Sequence, residues 1–224
     1  MMKSFKYVLS GFLLTYIYAA QAGVIVGGTR VIYDGAKKEM SLSVENPDKI
    51  EYLIQSWVEN IEGNNSKAPF VITPPLFRLD SGQKNILRIV GTGNLLADHE
   101  SLFWLNIKSI PSVEKRDNTL QLAIKTRIKL IYRPEALKGV SPEEVTDKLV
   151  WKKQGNKLLV NNPTAYYMNF STVTINGTAV KDALWVAPRS DATFSLPAGS
   201  SSNEVHWKLI SDYGAAGNDH HAGI

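Results

Sequence analysis

The chain has 224 residues, 44% of them hydrophobic and 21% charged, an ordinary globular composition with enough apolar side chains for a sizeable core. It contains no cysteine, which excludes thiolate metal sites, cysteine nucleophiles and disulfide cross-links, so packing alone must hold the fold. Its formal charge of +4 is too small, once its origin is traced along the chain, to argue for a nucleic-acid partner.

Residues 1–22 read as a secretory signal. Lys3 and Lys6 precede an apolar run from Val8 to Ala20, and Ala20-Gln21-Ala22 places small residues at the cleavage positions. The run is shorter than the ~20 residues a membrane span needs. Cleavage before Gly23 removes two lysines and no acid, so the charge falls from +4 to +2. No later stretch is apolar enough to anchor the chain in a membrane.

Short alternating runs then follow one another, the signature of half-buried strands. They cover Val24 to Asp34, Glu39 to Glu45, Ile50 to Glu59, Phe70 to Thr73, Lys84 to Val90, Leu102 to Ser109 and a long run from Thr119. Turn residues separate them: Asn46-Pro47-Asp48, Glu62-Gly63-Asn64-Asn65, Asp80-Ser81-Gly82 and Gly91-Thr92-Gly93-Asn94. Seven strands in about 110 residues is the constant-type immunoglobulin count, and Trp57 stands where such sandwiches bury a tryptophan.

The last of these runs is unusual in length. Leu120, Leu122, Ile124, Ile128, Leu130 and Tyr132 occupy even positions, interrupted only by Thr126, and Gln121, Lys125, Arg127, Lys129 and Arg133 occupy odd ones. Thirteen residues, 120–132, at ~3.3 Å each would reach roughly 43 Å, about twice a common strand. Such an edge would recruit other strands unless it is hidden, guarded or meant for a partner. Two readings remain open on periodicity alone. Lys125, Arg127 and Lys129 are gatekeepers against aggregation, or the strand adds itself to another protein's sheet.

After Pro134 the β pattern stops. "PEALKGVSPEEVTD" (134–147) carries two prolines, a glycine and five acidic or basic residues besides, with Glu143-Glu144 read as solvated charge. Strands resume at Leu149 to Lys152, Lys157 to Val160, Tyr166 to Ile175, Ala183 to Val186, Ala192 to Leu196 and Glu204 to Ile210, a second and smaller sandwich. The resulting division is a signal peptide at 1–22, an N-terminal domain at 23–137, a linker at 138–147 and a C-terminal domain at 148–224. One large sandwich is the alternative. The ending "GAAGNDHHAGI" is small and polar and reads as a loose tail.

Catalytic equipment is not visible. There is no G-x-S-x-G elbow, P-loop, H-E-x-x-H or strand–helix alternation for a dinucleotide. Gly91-Thr92-Gly93 reads as a turn. Of His99, His206, His220 and His221 only the last two are neighbours, and they lie in the tail. Asn64, Asn169 and Asn176 begin Asn-x-Ser/Thr triplets, which chance supplies easily. Binding is therefore the default, with an adhesion or carbohydrate-binding protein, or a hydrolase with an unrecognised site, as rivals.

Six collinear stretches carry a resemblance: "GTRVIYDG" (28–35), "ITPPLFRLDSG" (72–82), "ESLFWLNIKSIP" (100–111), "NTLQLAIKTRIKLIYRP" (118–134), "NNPTAYYM" (161–168) and "SDYGA" (211–215). Together they resemble the periplasmic PapD-like chaperones of the chaperone–usher pilus pathway, over nearly the whole mature chain. The resemblance implies an all-β fold of two immunoglobulin-like sandwiches in an L shape around a cleft, exported to the periplasm. It implies no enzymatic activity and no cofactor, ATP or metal. The implied partners are pilus or fimbrial subunits, including a tip adhesin, and an outer-membrane usher; nucleic acid and membrane insertion are not implied.

Residue by residue, the resemblance places a subunit-carboxylate anchor on Arg30 and Lys129 and a donor row on Leu120, Leu122 and Ile124. It places an interdomain charge network on Glu100, Arg133 and Asp212. An usher-facing surface maps around Leu53, Pro74, Pro75, Leu76, Arg88 and Ile110, where the prolines also read simply as turn residues. The short connection Ser112 to Asp117 is similar to the short-loop branch of the family. The free chaperone, with an open donor edge, is also expected to self-associate.

Overall fold

A computed structural model describes residues 23–61, 67–112, 120–197, 199 and 203–224. The expected signal segment, Asn64 and most of the connection before the long strand lie outside them. No α-helix occurs among the described residues.

The first half contains β1 (Ile25–Val26), β2 (Arg30–Asp34), β3 (Glu39–Glu45), β4 (Tyr52–Asn60), β5 (Phe70–Thr73), β6 (Leu76–Leu79), β7 (Lys84–Gly91), β8 (Ser101–Pro111) and β9 (Ile124–Arg133). They form a four-stranded sheet in the order β1-β3-β7-β5 and a five-stranded sheet in the order β2-β9-β8-β4-β6. Every pairing is antiparallel except that of β2 with β9. Alternation turns Val44, Ile54, Leu87, Ile89, Leu105 and Leu130 into one buried layer between the sheets.

Three single-turn 3₁₀ segments, Glu135–Leu137, Pro142–Glu144 and Thr146–Lys148, cross to the second half. There β10 (Val150–Gln154), β11 (Lys157–Asn162), β12 (Met168–Ile175), β13 (Thr178–Ala179), β14 (Trp185–Val186), β15 (Ser190–Ser195), β16 (Glu204–Leu209) and β17 (His220–Gly223) follow. They make a sheet β10-β11-β15 facing a sheet β13-β12-β16-β17, with β14 added beside β12. A separate cluster around Leu158, Val160, Met168, Ile175, Val205 and Trp207 fills this sandwich. Two cores, not one, answer the question of a single large sandwich.

Several expectations are corrected. The run Val24 to Asp34 is two strands in different sheets, because the chain changes sheets at Gly27-Gly28. A Cβ on Gly27 would stand 2.1 Å from the Ser43 hydroxyl oxygen and 3.1 Å from its backbone oxygen, so a larger residue would crowd β3 at the crossing. Trp57 is not the buried tryptophan. Tyr52, Ile54 and Ser56 take the inward face of β4, so Trp57 points outward, donates to Glu59 at 2.7 Å and lies half-buried. The single run expected at Phe70 to Thr73 is followed, after Pro74-Pro75, by β6, which alternation too short to register had concealed.

The tail is not loose. β17 pairs with β16, placing Val205 opposite Ala222 and Trp207 opposite His220. His220 stacks on the Trp207 ring, with centroids 5.8 Å apart. Its ring nitrogens meet Asp147 at 2.6 Å and Glu143 at 3.2 Å, and Glu143 also accepts from the Asn218 N–H at 2.6 Å. The "solvated" Glu143 is thus the hook that fastens the C-terminus, and Glu144 caps the 3₁₀ turn at Ser141. Burial works against a charge on His220, but hydrogen bonds to Glu143 and Asp147 outweigh it and hold the pKa above 6.5. A raised folded-state pKa stabilises fully below the unfolded value and is lost as pH rises through the folded one. His220→Ala is expected to lose about 1 kcal/mol below pH 6.5 and progressively less above it, which chemical denaturation at several pH values would read out.

Candidate functional site: a cationic cleft beside an open strand edge

The site is built on β9. Its even residues face the core: Ile128 and Leu130 are buried there. Its charged odd residues face outward, and of these Lys129 and Arg133 meet the second sandwich. β2 lies parallel to β9 with Arg30 directly opposite Lys129, so strand register puts the two cations side by side.

Their partners come from the other half of the chain. Arg30 Nη1 donates to the Ile210 carbonyl at 3.2 Å, and Lys129 Nζ donates to Asn169 Oδ1 at 2.5 Å. The Lys129 ammonium also sits 4.3 Å from the centre of the Trp185 ring. Neither cation has an acidic partner within ion-pair distance among the described residues. Arg30 Nε is buried with no hydrogen-bond partner there at all. Burial lowers the Arg30 pKa, and burial together with the neighbouring Arg30 brings Lys129 down to about 8. Asp212 offsets part of the burial at Arg30 from beyond ion-pair distance. Two adjacent cations, partly desolvated and with no acid in direct contact among the described residues, make a site for an anion, and two charged donor groups fit a carboxylate.

The other odd residues of β9 are occupied. Arg127 meets Glu59 at 2.6 Å and lies over Trp104 at 5.4 Å; Lys125 lies 3.5 Å from Glu59 and over Trp57 at 4.9 Å. The gatekeeper reading suits these two, whose charges are already paired, and leaves Lys129 apart. Glu59, Trp104, Asn169 and Trp185 escaped the sequence reading. Outward parity in β4 and β8 pointed to the first two, whereas nothing local marks residues that arrive from another sandwich.

Toward its start β9 opens. Leu120 is 81% exposed, Leu122 65% and Ile124 50%, a row of largely uncovered apolar side chains among the described residues. The strand expected from residue 119 begins at Ile124. The β8–β9 ladder ends at Ser109 opposite Ile124, and Pro111 beyond it has no N–H to offer. β2 covers only Lys129 to Arg133, so 124–128 keep one unpaired edge among the described residues. Residues 120–123 have the alternation of a strand but are not one in the structure.

At the other end of β9, Glu100, Arg133 and Asp212 come together. Arg133 binds Glu100 at 2.7 Å and both Asp212 oxygens, at 2.6 and 2.9 Å. Glu100, 1% exposed, also accepts from the Tyr167 N–H at 2.8 Å. Burial pushes the Glu100 pKa up against the pull of Arg133. Gly214, at φ +88°, turns the chain just after Asp212, where a side chain would strike Thr29.

The remaining expected surface is divided. Leu53 stands opposite Arg78 and Ile110, and Leu76 opposite Gln55, all on the five-stranded sheet. Leu53 and Leu76 are exposed, and Pro74-Pro75 link β5 to β6. Arg88 lies on the four-stranded sheet, opposite Thr73, and pairs with Glu39 at 2.5 Å.

Two sandwiches, a cationic cleft between them and an open apolar edge define a strand-presenting binding protein. Residues 23–138 match the family model of the pili and flagellar-assembly chaperone PapD N-terminal domain, and residues 144–221 that of the pili assembly chaperone PapD C-terminal domain. The chain belongs to this family of pilus-assembly chaperones. It is 42% identical over 215 residues to the chaperone protein FocC of Escherichia coli, covering 93% of each chain. Among solved structures, the E. coli chaperone DraB is 42% identical with a TM-score of 0.82, covering 90% of this chain and 96% of DraB. The SafB chaperone of Salmonella enterica, solved in complex with the SafA pilin, is 40% identical with a TM-score of 0.84, covering 91% and 97%.

Proposed function

We propose that the protein is a non-enzymatic periplasmic chaperone that captures pilus subunits by lending them a strand, keeps them from aggregating and hands them to an outer-membrane usher. The observation that carries this is the pair Arg30 and Lys129, adjacent, desolvated and with no acid in direct contact among the described residues, beside a strand whose first residues are apolar and exposed. SafB, similar along its whole length, was solved holding a pilin.

The two ends do different work. Burying Leu120, Leu122 and Ile124 in a guest contributes on the order of 1.5–3 kcal/mol per side chain, most of the attraction. A guest's terminal carboxylate on Arg30 and Lys129 fixes position. A slip of one residue would turn the leucines out and point Gln121 and Lys125 at an apolar groove, so the anchor sets register. Glu100, Arg133 and Asp212 hold the two sandwiches so that the cleft keeps its width. Residues 1–22 direct export and are removed. The partners are subunits and a tip adhesin, with Leu53, Pro74, Pro75, Leu76, Ile110 and Arg88 turned toward the usher; no cofactor takes part.

Tagged protein recovered from the periplasm should bring down a lone β-sandwich subunit ending in a free carboxylate. Recovery of the chaperone without such a partner, under conditions of pilus expression, would count against the reading. Leu122→Asp should leave the free protein as stable as before, because the side chain is solvent-exposed, and weaken capture roughly 100-fold or more. Unchanged affinity would remove the donor row from the account.

A further inference from the structure

We propose that Asn169 and Trp185, both in the second sandwich, are positioning residues that hold the Lys129 ammonium charged and aimed into the cleft before a guest arrives. The inference rests on the carboxylate-anchor reading of Lys129 and extends it to the other domain.

The two residues form a built pair. β12 and β14 run antiparallel with Asn169 directly opposite Trp185, so one backbone register delivers both to the same ammonium. Asn169 is 4% exposed, and its backbone carbonyl accepts from the Ile210 N–H at 2.8 Å. The Ile210 carbonyl in turn receives Arg30. One corner of β12 and the end of β16 therefore provides the acceptors for both anchor cations. The Trp185 ring is itself set edge-on against Trp104 of β8, 6.3 Å between centroids, which fixes its face toward Lys129.

The chemistry of the pair is selective. The ammonium has three donors, and the Asn169 carbonyl takes one without neutralising the charge. The ring face attracts the cation and presents no acceptor that competes with a carboxylate. A carboxylate at position 169 would satisfy Lys129 permanently and shut the guest out. Neutral acceptor and aromatic face together keep a buried lysine protonated yet available.

Among the described residues, the charge that acts on Lys129 is Arg30. Arg30 on β2 stands beside it; Arg127 and Arg133 on its own strand are committed to Glu59 and to Glu100 and Asp212; β8 presents Trp104, β12 Asn169 and β14 Trp185. Burial and Arg30 both push the proton off, and Asn169 and Trp185 oppose them. Capture is therefore expected to be constant at acidic and neutral pH and to fall as pH rises through about 8.

The test follows the Lys129 Nζ titration by lysine-selective NMR in the whole mature chain. It is paired with binding of a peptide copied from the C-terminus of the co-purified subunit, as free acid and as amide. The wild type should titrate near 8 and prefer the acid. Trp185→Leu should move the midpoint lower and Trp185→Phe restore much of it. Asn169→Asp, nearly isosteric and so tolerant of the fold, should move it higher by about one pH unit or more and weaken acid binding at least about tenfold while leaving amide binding alone. Titration and acid preference unchanged in Asn169→Asp would overturn the inference, whatever Trp185→Leu does. Equal binding of acid and amide by the wild type would instead overturn the anchor reading, and the NMR midpoints would still decide whether the pair governs Lys129.

Discussion

Arg30→Ala and Lys129→Ala should each abolish practical subunit capture while leaving a folded chaperone. Each removes a charge-assisted contact of about 1.5–3 kcal/mol to the guest carboxylate, roughly ten- to 150-fold in affinity. Each also removes half of the device that sets register, so the surviving complexes would be misaligned and their leucine row poorly buried. Stability should move little or even rise. Both cations are desolvated with no acid in direct contact among the described residues, and burial lowers the pKa of each, at Arg30 against the pull of Asp212, which means the free fold bears their cost. Affinity measured beside thermal unfolding would check this. A variant that unfolds, or one that captures normally, would contradict the assignment in different ways.

Arg133→Ala should be the most damaging single change to the fold itself. The guanidinium satisfies Glu100, which is 1% exposed, and clamps both oxygens of Asp212 from the other sandwich. Removing it strands a buried carboxyl whose remaining partner in the network is the Tyr167 N–H, and breaking such a pair costs about 3–5 kcal/mol. Glu100 would then stay protonated to higher pH than it does now, since burial already raises its pKa and Arg133 is the chief opposing influence. A raised acid pKa means stability lost as pH increases, so the variant should weaken more steeply than the parent between acidic and neutral pH. Replacing Arg133 and Glu100 together by apolar residues should recover much of the loss. Denaturant unfolding across that pH range reads both effects, and a flat, near-native profile for Arg133→Ala would show the network to be ornamental.

Much of this architecture was legible where alternation met water on one face only. β3 and β5 begin and end where the pattern does, and β7 and β8 extend past it by a residue or two. The apolar row at 120, 122 and 124 was readable for the same reason. What escaped depended on distant pieces of chain. A glycine pair hid a change of sheet at Gly27, because hydropathy does not record which neighbour a strand pairs with. β17 is nearly all small and polar, and it is a strand because β16 offers a ladder and Glu143 and Asp147 offer a hook. Residues 120–123 show the converse, a strand pattern that the structure does not make a strand. Within the site, Arg30, Lys129, Glu100, Arg133 and Asp212 were reached through motifs, whereas Asn169 and Trp185 carry no local mark and owe their place to how the second sandwich meets the first.

The central claim is that residues 120–128 become part of a guest's sheet. Hydrogen exchange of the backbone amides, with and without a bound subunit, measures this directly. Capture should convert the amides of 120–128 that face the open edge from fast to slow exchange, with little change in β3 and β7 on the far sheet. Equal exchange in that segment, with new protection confined to other surfaces of a demonstrably bound complex, would contradict strand lending.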